Sequence, residues 1–211
     1  RIATALGLAA EDIDTRAPVQ RVAAGTAAMI VPLRSLDALK RARLDLAAYA
    51  PLAAEGLPPL TYLFTTETRQ PGNDLSARFF FEAHGVREDP ATGNGAAFLG
   101  AWLLEHRYFP AAELSLRIEQ GHEIQRPSLV RLRARMDGTT REVEVGGKRM
   151  RVAAADLRPL TGSALPSPVS KWAPIQRSSG APAKCSPSPS AAAPRGEIVL
   201  VGLRVDAALP E

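Results

Sequence analysis

The chain has 211 residues, 45% of them hydrophobic, which is enough to bury one good-sized core. Its net charge of +4 comes from basic residues that are spread out and alternate with apolar ones, as in Arg131–Arg135. Because that alternation is typical of the solvated face of a strand, we expect no nucleic-acid partner. No stretch resembles a signal peptide or a membrane span, and the single cysteine, Cys185, excludes a disulfide framework. We therefore expect a cytoplasmic protein with no membrane partner.

Most of the chain up to about residue 157 reads as strands with a few short helices. Residues 2–8 are expected to be the end of a helix that begins upstream. Further short helices are expected after the capping residue Ser35 and over Asp45–Ala53. Strands are expected where β-branched, aromatic and alternating residues cluster, at Val19–Ala23, Met29–Leu33, Leu60–Thr65, Ala77–Phe81, Glu113–Glu119, Ser128–Met136 and Arg141–Val145.

One segment, Gly95–Leu104, predicts a helix that is apolar on every side. Such a helix belongs inside a core or a membrane, and this one is too short for a bilayer, which needs roughly 20 apolar residues. Glu105, His106 and Arg107 mark its end, with Pro110 beyond. We therefore predict an α+β fold, a mostly antiparallel strand barrel or roll wrapped around a central buried helix.

The end of the chain has a different character. Gly146-Gly147 is a two-residue turn signal and predicts a hairpin between Arg141–Val145 and Lys148–Ala154. Residues 158–196 are rich in proline, serine and alanine and are expected to be a disordered tail. Residues 197–211 contain one strand-like segment for which the sequence offers no partner.

The segment Glu88–Asn94 carries the strongest functional signal. It places an acid, a fixed turn, a hydroxyl, a glycine and an amide directly before the apolar helix. A helix start exposes unpaired N–H groups and carries partial positive charge, so it can seat a carboxylate. Asp89 stands five residues before Asn94, close enough to handle a proton on a molecule bound there. The pattern predicts a small-molecule site for an anion.

Each of these residues also has a structural interpretation. Asp89 can hold the turn and cap the helix, and Thr92 can be an ordinary cap. Asn94 is as compatible with a helix cap as with a ligand contact, and Glu88 is expected to be structural or solvated. His106 and His122 lack companions at ligand spacing, so no metal site is expected.

Three groups of residues resemble the phenazine-biosynthesis (PhzF-like) isomerase family. These are Arg78-Phe79 with Gly85–Gly95, the pair Gln120-Gly121 with Arg126–Ser128, and the stretch from Val22 to Leu33. The resemblance runs from about Ile2 to Leu157, and the run Asp89–Gly93 is its most specific part.

The resemblance implies the diaminopimelate epimerase-like fold, in which two similar halves each wrap strands around a central helix. The active site then lies in the cleft between the halves, and the family is cofactor-free and commonly homodimeric. Epimerases on this fold use two thiols, whereas the only cysteine here lies in the tail, so the resemblance favours the carboxyl-based isomerase branch.

The resemblance also implies the site residues. Asp89 corresponds to the catalytic acid of the second half, and the substrate-binding positions correspond to Thr92, Gly93, Asn94, Gly95 and Gly25. Ala24 stands where the family commonly has threonine, and Gln125 where it usually has glycine. The family's first-half glutamate and its glycine–asparagine–proline helix start have no counterpart, so the chain resembles the second half only.

These observations leave two functional hypotheses. The first is a cofactor-free isomerase that shifts a proton on a small carboxylic acid metabolite, present as a C-terminal fragment that is inactive alone. Its partner would be the missing first half or a second copy in a homodimer. The alternative is a non-catalytic binding or scaffold module with a degenerate site. The expected divisions are residues 1–16 as a remnant of a preceding linker or helix, 17–157 as the PhzF-like domain, 158–196 as the tail and 197–211 as an unassigned end.

Overall fold

The computed structural model describes residues 1–81, 85–138, 140–148 and 198–205. All of them belong to one compact unit, Arg1–Arg149 with Ile198–Glu211. Outside the described residues lie the expected tail over 158–196, the expected strand beyond Lys148, and the residues His84, Trp172 and Cys185. The predicted domain divisions stay predictions.

Four α-helices and nine strands are present in the described part of the chain. The helices are α1 (Ile2–Ala5), α2 (Leu36–Arg41), α3 (Leu46–Ala54) and α4 (Gly93–Glu105). The strands are β1 (Gln20–Ala24), β2 (Thr26–Pro32), β3 (Thr61–Thr65), β4 (Leu75–Phe81), β5 (Val86–Asp89), β6 (Glu113–Gln120), β7 (Ser128–Asp137), β8 (Thr140–Lys148) and β9 (Ile198–Val205).

One mixed sheet curls around α4 as a half-barrel. Its strand order is β1-β2-β3-β4-β6-β7-β8-β9, and β5 pairs with β4 beside this path. The pairs β2–β3 and β4–β6 are parallel, and the other pairs are antiparallel. The predicted α+β class, a mostly antiparallel roll around a buried helix, is confirmed.

Helix α4 is buried along its length, as its all-apolar sequence predicts. Every residue from Gly95 to Leu104 is buried, and the Trp102 ring lies 5.5 Å from the rings of both Phe64 and Tyr108. A Cβ on Gly100 would lie only 2.7 Å from Val143 Cγ1, so the absence of a side chain there lets β8 approach the helix. This packing fixes where the helix starts.

A second core fills the other face of the sheet. Alternation along β3 and β4 sends Tyr62 and Phe79 toward α4, whereas Leu63 and Phe80 pack against the short helices α1–α3. Ser35 and Asp45 cap α2 and α3 through their side chains, as predicted for Ser35. The sheet between β3 and β5 is thus covered on both faces.

Two sequence-based expectations about β8 and β9 are wrong. Gly146 and Gly147 do not form a turn, because they pair with Arg131 and Val130 of β7 inside a continuous strand. Strand β9 does have a partner, since it pairs with β8 over eight positions from Lys148–Ile198 to Arg141–Val205. The local turn signal of two glycines is outweighed by ladder pairing on both edges of β8.

The carboxyl of Asp14 gives the fold a testable pH dependence. Burial raises its pKa, but hydrogen bonds from Arg16 and Tyr108 outweigh burial and hold the pKa at about 2, below the ordinary 3.8. A lowered pKa stabilises the fold above pH 3.8, and that stability is lost as the pH falls toward 2. By linkage the contribution is about 2 kcal/mol.

We therefore expect Asp14→Asn to be destabilising near neutral pH and much less so in acid. Urea unfolding of both proteins between about pH 6 and pH 2 measures the difference in unfolding free energy, which should shrink by about 2 kcal/mol. A difference that stays constant over this range would contradict the assignment.

Candidate active site

Strand β5 delivers two neighbouring acids to opposite faces of the sheet. In its register with β4, Glu88 is opposite Phe80 and Asp89 is opposite Phe79. Phe79 packs in the α4 core and Phe80 in the other core, so Asp89 lies on the helix side and Glu88 on the far side. Sequence analysis missed this strand, because its residues Val-Arg-Glu-Asp lack an apolar alternation.

Helix α4 begins directly after the turn that follows Asp89. Thr92 precedes the first helical residue with an extended backbone, and its side chain does not cap the helix. Gly93 and Asn94 are exposed, whereas Thr92 and Gly95 are buried. The amides of residues 93–95 have no acceptor within the helix, because the first helical bond recorded is from Ala96 N to Thr92 O. The helix start is therefore open to an external anion.

Thr92 occupies the cap position of α4, although its side chain does not cap the helix, whereas the cap interpretation of Asn94 is wrong. Asn94 is the second residue of the helix rather than its cap, and its exposed position is compatible with a ligand contact. The Thr92 hydroxyl is used differently, since it donates to Asp89 Oδ2 at 2.7 Å.

Gln120 joins this pair to the end of β6. Its Nε2 donates to the backbone oxygen of Asp89 at 2.8 Å and to Thr92 Oγ1 at 2.9 Å. Its Oε1 accepts from Thr92 N at 3.4 Å and from the Tyr62 hydroxyl at 3.3 Å. Gln120 and Tyr62 are fully buried, so this network is closed to water on its inner side.

Tyr62 fits against the helix start because Gly95 has no side chain. A Cβ on Gly95 would collide with the Tyr62 ring, which places the buried phenol directly under the first turn. Burial and the negative charge of Asp89 both raise the pKa of the Tyr62 phenol, so it stays protonated and remains a hydrogen-bond donor. Gly95 therefore supports the site through packing.

The predicted position Gly25 lies at the turn between β1 and β2, exposed and with a φ of +78°. Gln20 at the opposite end of β1 contacts His106, just past the end of α4, with 2.7 Å between Gln20 Oε1 and His106 Nε2. The Gly25 end of β1 therefore lies toward the start of α4.

Glu88 has a structural partner on the far side of the sheet. Arg78 binds it through Nη2 at 2.7 Å and Nε at 3.2 Å, and both side chains are almost fully buried. Arg78 also donates through Nη1 to the backbone oxygens of Leu39 and Ala42 near the end of α2. The structural interpretation of Glu88 is confirmed, although it is buried rather than solvated.

Gly121 holds the turn before the helix against the connection between β6 and β7. Its φ is +79°, and a Cβ there would collide with Arg126 O and lie 2.9 Å from Pro90 O. We expect Gly121→Ala to destabilise the protein by about 1–3 kcal/mol in urea unfolding.

Gly72→Ala is the matched control for Gly121→Ala. Gly72 has a φ of +83° but open space where a Cβ would lie. It shares the backbone cost without the collision, so an equal loss of stability in both variants would contradict the proposed contact.

Two cavities of the structure lie away from Asp89. One, of about 570 Å³, is lined by residues of β6, β7 and β8. The other, of about 300 Å³, lies near Arg43, Phe80 and Glu88. Asp89 lines neither. Within the part of the chain that the structure describes, no group of three His, Cys, Asp or Glu side chains could hold a metal ion. Asp89 itself is half-buried, next to the exposed residues Gly93 and Asn94.

Known proteins resemble this chain over most of its length. The sequence model of the phenazine biosynthesis-like protein family (PhzC-PhzF) matches residues 1–155. The chain belongs to this family. A solved relative, a phenazine biosynthesis protein of the PhzF family from Bacillus anthracis, superposes on this PhzF-like chain with a TM-score of 0.57 at 26% identity, covering 65% of this chain and 46% of that one.

Several similar proteins are named as isomerases. An uncharacterized isomerase of Pasteurella multocida is 34% identical over 163 residues, which are 77% of this chain and 51% of that protein. One of Mesorhizobium japonicum is 35% identical over 165 residues, covering 74% and 53%. The trans-2,3-dihydro-3-hydroxyanthranilate isomerase of Pseudomonas aeruginosa is 42% identical over 79 residues, covering 36% and 27%.

The PhzF-like chain spans about half the length of the curated relatives that it matches over most of its own length. None of the helices described in the structure is long and apolar enough to cross a membrane.

Proposed function

We propose that this PhzF-like chain forms one wall of an isomerase active site, in which Asp89 transfers a proton on a small carboxylic acid. The observation that carries the proposal is the position of Asp89, half-buried at the mouth of α4 and linked to the residue that precedes the helix. The isomerase names of similar proteins support the reaction class.

The chemistry needs only proton transfer. Asp89 takes a proton from a carbon of the substrate while the electrons of that C–H bond form a new double bond. The existing double bond shifts, and a proton is delivered to a second carbon. No oxidant or reductant is consumed, and neither a metal nor an organic cofactor takes part. A positioned carboxyl acting this way contributes about 10²–10⁴-fold in rate.

The start of α4 provides the complementary seat for the substrate's carboxylate. The amides of residues 93–95 and the exposed Asn94 side chain are the donors, and the helix dipole adds about 0.3–1 kcal/mol for an anion. Gly25 lines the same end of the sheet, and Thr92 and Gly95 act from beneath the helix start.

A second wall completes the site. The half-buried position of Asp89 beside the exposed Gly93 and Asn94 supports a partner that covers the mouth of α4. That partner is a first-half polypeptide or a second copy of the chain, and it contributes the second acid–base group. The assembly is cytoplasmic and has a biosynthetic role. The alternative is a module that binds a carboxylate without turning it over.

Deuterium incorporation tests this proposal. The chain is incubated in D2O with trans-2,3-dihydro-3-hydroxyanthranilate, alone and together with a polypeptide corresponding to the first half of the Pasteurella relative. We expect isomerised, deuterium-labelled product by mass spectrometry only when both polypeptides are present. Binding without isotope incorporation in either mixture would support the non-catalytic alternative instead.

A further inference from the structure

The site contains a chain of hydrogen bonds whose direction is fixed by the backbone. The Gln120 amide lies between two main-chain groups of opposite character, the Asp89 carbonyl oxygen 2.8 Å from Nε2 and the Thr92 N–H 3.4 Å from Oε1. Flipping the amide would set oxygen against oxygen and N–H against N–H. The observed orientation is therefore the only one that these two groups accept.

That orientation determines what the Thr92 hydroxyl does. Nε2 of Gln120 donates to Thr92 Oγ1 at 2.9 Å, so the single hydroxyl proton of Thr92 is directed elsewhere. It is donated to Asp89 Oδ2 at 2.7 Å. The only hydrogen bond to the Asp89 carboxyl among the described residues is this one to Oδ2, which leaves Oδ1 for a substrate.

We propose that Gln120, acting through Thr92, is a positioning residue that holds the Asp89 carboxylate in one rotamer and presents Oδ1 to the substrate. Tyr62 contributes less to holding Gln120, because the 3.3 Å distance from its hydroxyl to Gln120 Oε1 is long for an O–H···O hydrogen bond. The catalytic use of Oδ1 rests on the proposed isomerase function, whereas the ordering of Asp89 does not.

The most specific variant is Gln120→Glu. It preserves the shape of the side chain, but a carboxylate cannot donate to Thr92 Oγ1, so the Thr92 hydroxyl turns toward the introduced carboxylate and away from Asp89. Thr92→Val removes the hydroxyl at nearly constant volume, and Thr92→Ser keeps it. Gln125→Glu, the same chemical change at an exposed position of the connection between β6 and β7, is the matched control.

Three-bond NMR couplings that report the Asp89 χ1 angle test the ordering in the full chain, without a need for substrate. We expect couplings of a single rotamer in the parent chain, Thr92→Ser and Gln125→Glu. Gln120→Glu and Thr92→Val should show rotamer-averaged couplings. Amide spectra confirm that each variant is folded. A single Asp89 rotamer in both Gln120→Glu and Thr92→Val, with the fold retained, would overturn the proposal.

The assembled enzyme separates this proposal from the proposed function. If both hold, Gln120→Glu and Thr92→Val lower kcat on the order of 10²-fold with little change in KM, and Thr92→Ser restores it. Full activity in Asp89→Asn would refute the catalytic role of Asp89 and leave the rotamer result standing. Full activity in Gln120→Glu and Thr92→Val, with Asp89→Asn inactive, would refute the positioning role alone.

Discussion

Asp89→Asn is expected to reduce the isomerisation rate of the assembled enzyme by about 10²–10⁴-fold, the range that a positioned acid–base group contributes. Asparagine keeps the size of the side chain and can still accept the 2.7 Å hydrogen bond from Thr92 Oγ1, so the fold and the start of α4 should be unchanged. The loss should therefore appear in kcat, because the amide cannot carry the transferred proton.

Asp37→Asn provides the control for this prediction. Asp37 makes a surface ion pair with Arg41 and its side chain is 76% exposed, so its replacement should leave the rate unchanged. Rates are measured as product formation at saturating substrate, with circular dichroism to confirm folding. An Asp89→Asn enzyme as active as the Asp37→Asn enzyme would exclude Asp89 as the acid–base group.

Arg78→Met is expected to cost about 3–5 kcal/mol of unfolding free energy, because it leaves the fully buried Glu88 carboxylate without its cation. The backbone oxygens of Leu39 and Ala42 lose a donor in the same variant. Urea unfolding at neutral pH, followed by circular dichroism, measures the loss.

Two further variants test the cause of that loss. Arg135→Met breaks an ion pair between the exposed Arg135 and Glu142 and should cost far less than Arg78→Met. The double variant Arg78→Met with Glu88→Leu removes both charges and should recover most of the stability, because a buried ion pair contributes little over well-packed apolar groups. A double variant as unstable as Arg78→Met alone would show that the uncompensated carboxylate is not responsible.

The central helix can be predicted from sequence because its signals are local and agree. A run without charge from Gly95 to Leu104 allows only a buried helix, and the turn residues before it fix where the helix starts. The strands on either side of Gly25 are equally clear. The residues of each segment indicate its structure without help from distant parts of the chain, and the packing in the fold agrees with them.

The pairing of β8 and β9 could not be predicted, because it is a long-range choice. Gly146-Gly147 favours a tight turn when only neighbouring residues are considered. In the folded chain β7 pairs with one edge of β8 and β9 with the other, and the two glycines continue both ladders. Gly147 pairs with Val199, which lies far along the chain, so the residues around the glycines carry no signal of this pairing.

The sequence predicts a site role for Asp89 but none for Tyr62 and Gln120, which lie beneath it. Tyr62 lies in a predicted strand and Gln120 directly follows another, and the local pattern gives neither side chain a role in a site. The missing signal was alternation along β6, where Leu114, Ile118 and Gln120 are all buried. A polar side chain in such a buried series needs a hydrogen-bond partner, and that need points toward the site.

An NMR titration of the amides at the start of α4 tests the central idea most directly. Anthranilate, a stable aromatic carboxylate, is added to the labelled chain, and aniline serves as the matched compound without the carboxylate. We expect saturable shifts of the Gly93, Asn94 and Gly95 amides with anthranilate and none with aniline. Unchanged amides, or equal shifts with both compounds, would contradict a carboxylate seat beside Asp89.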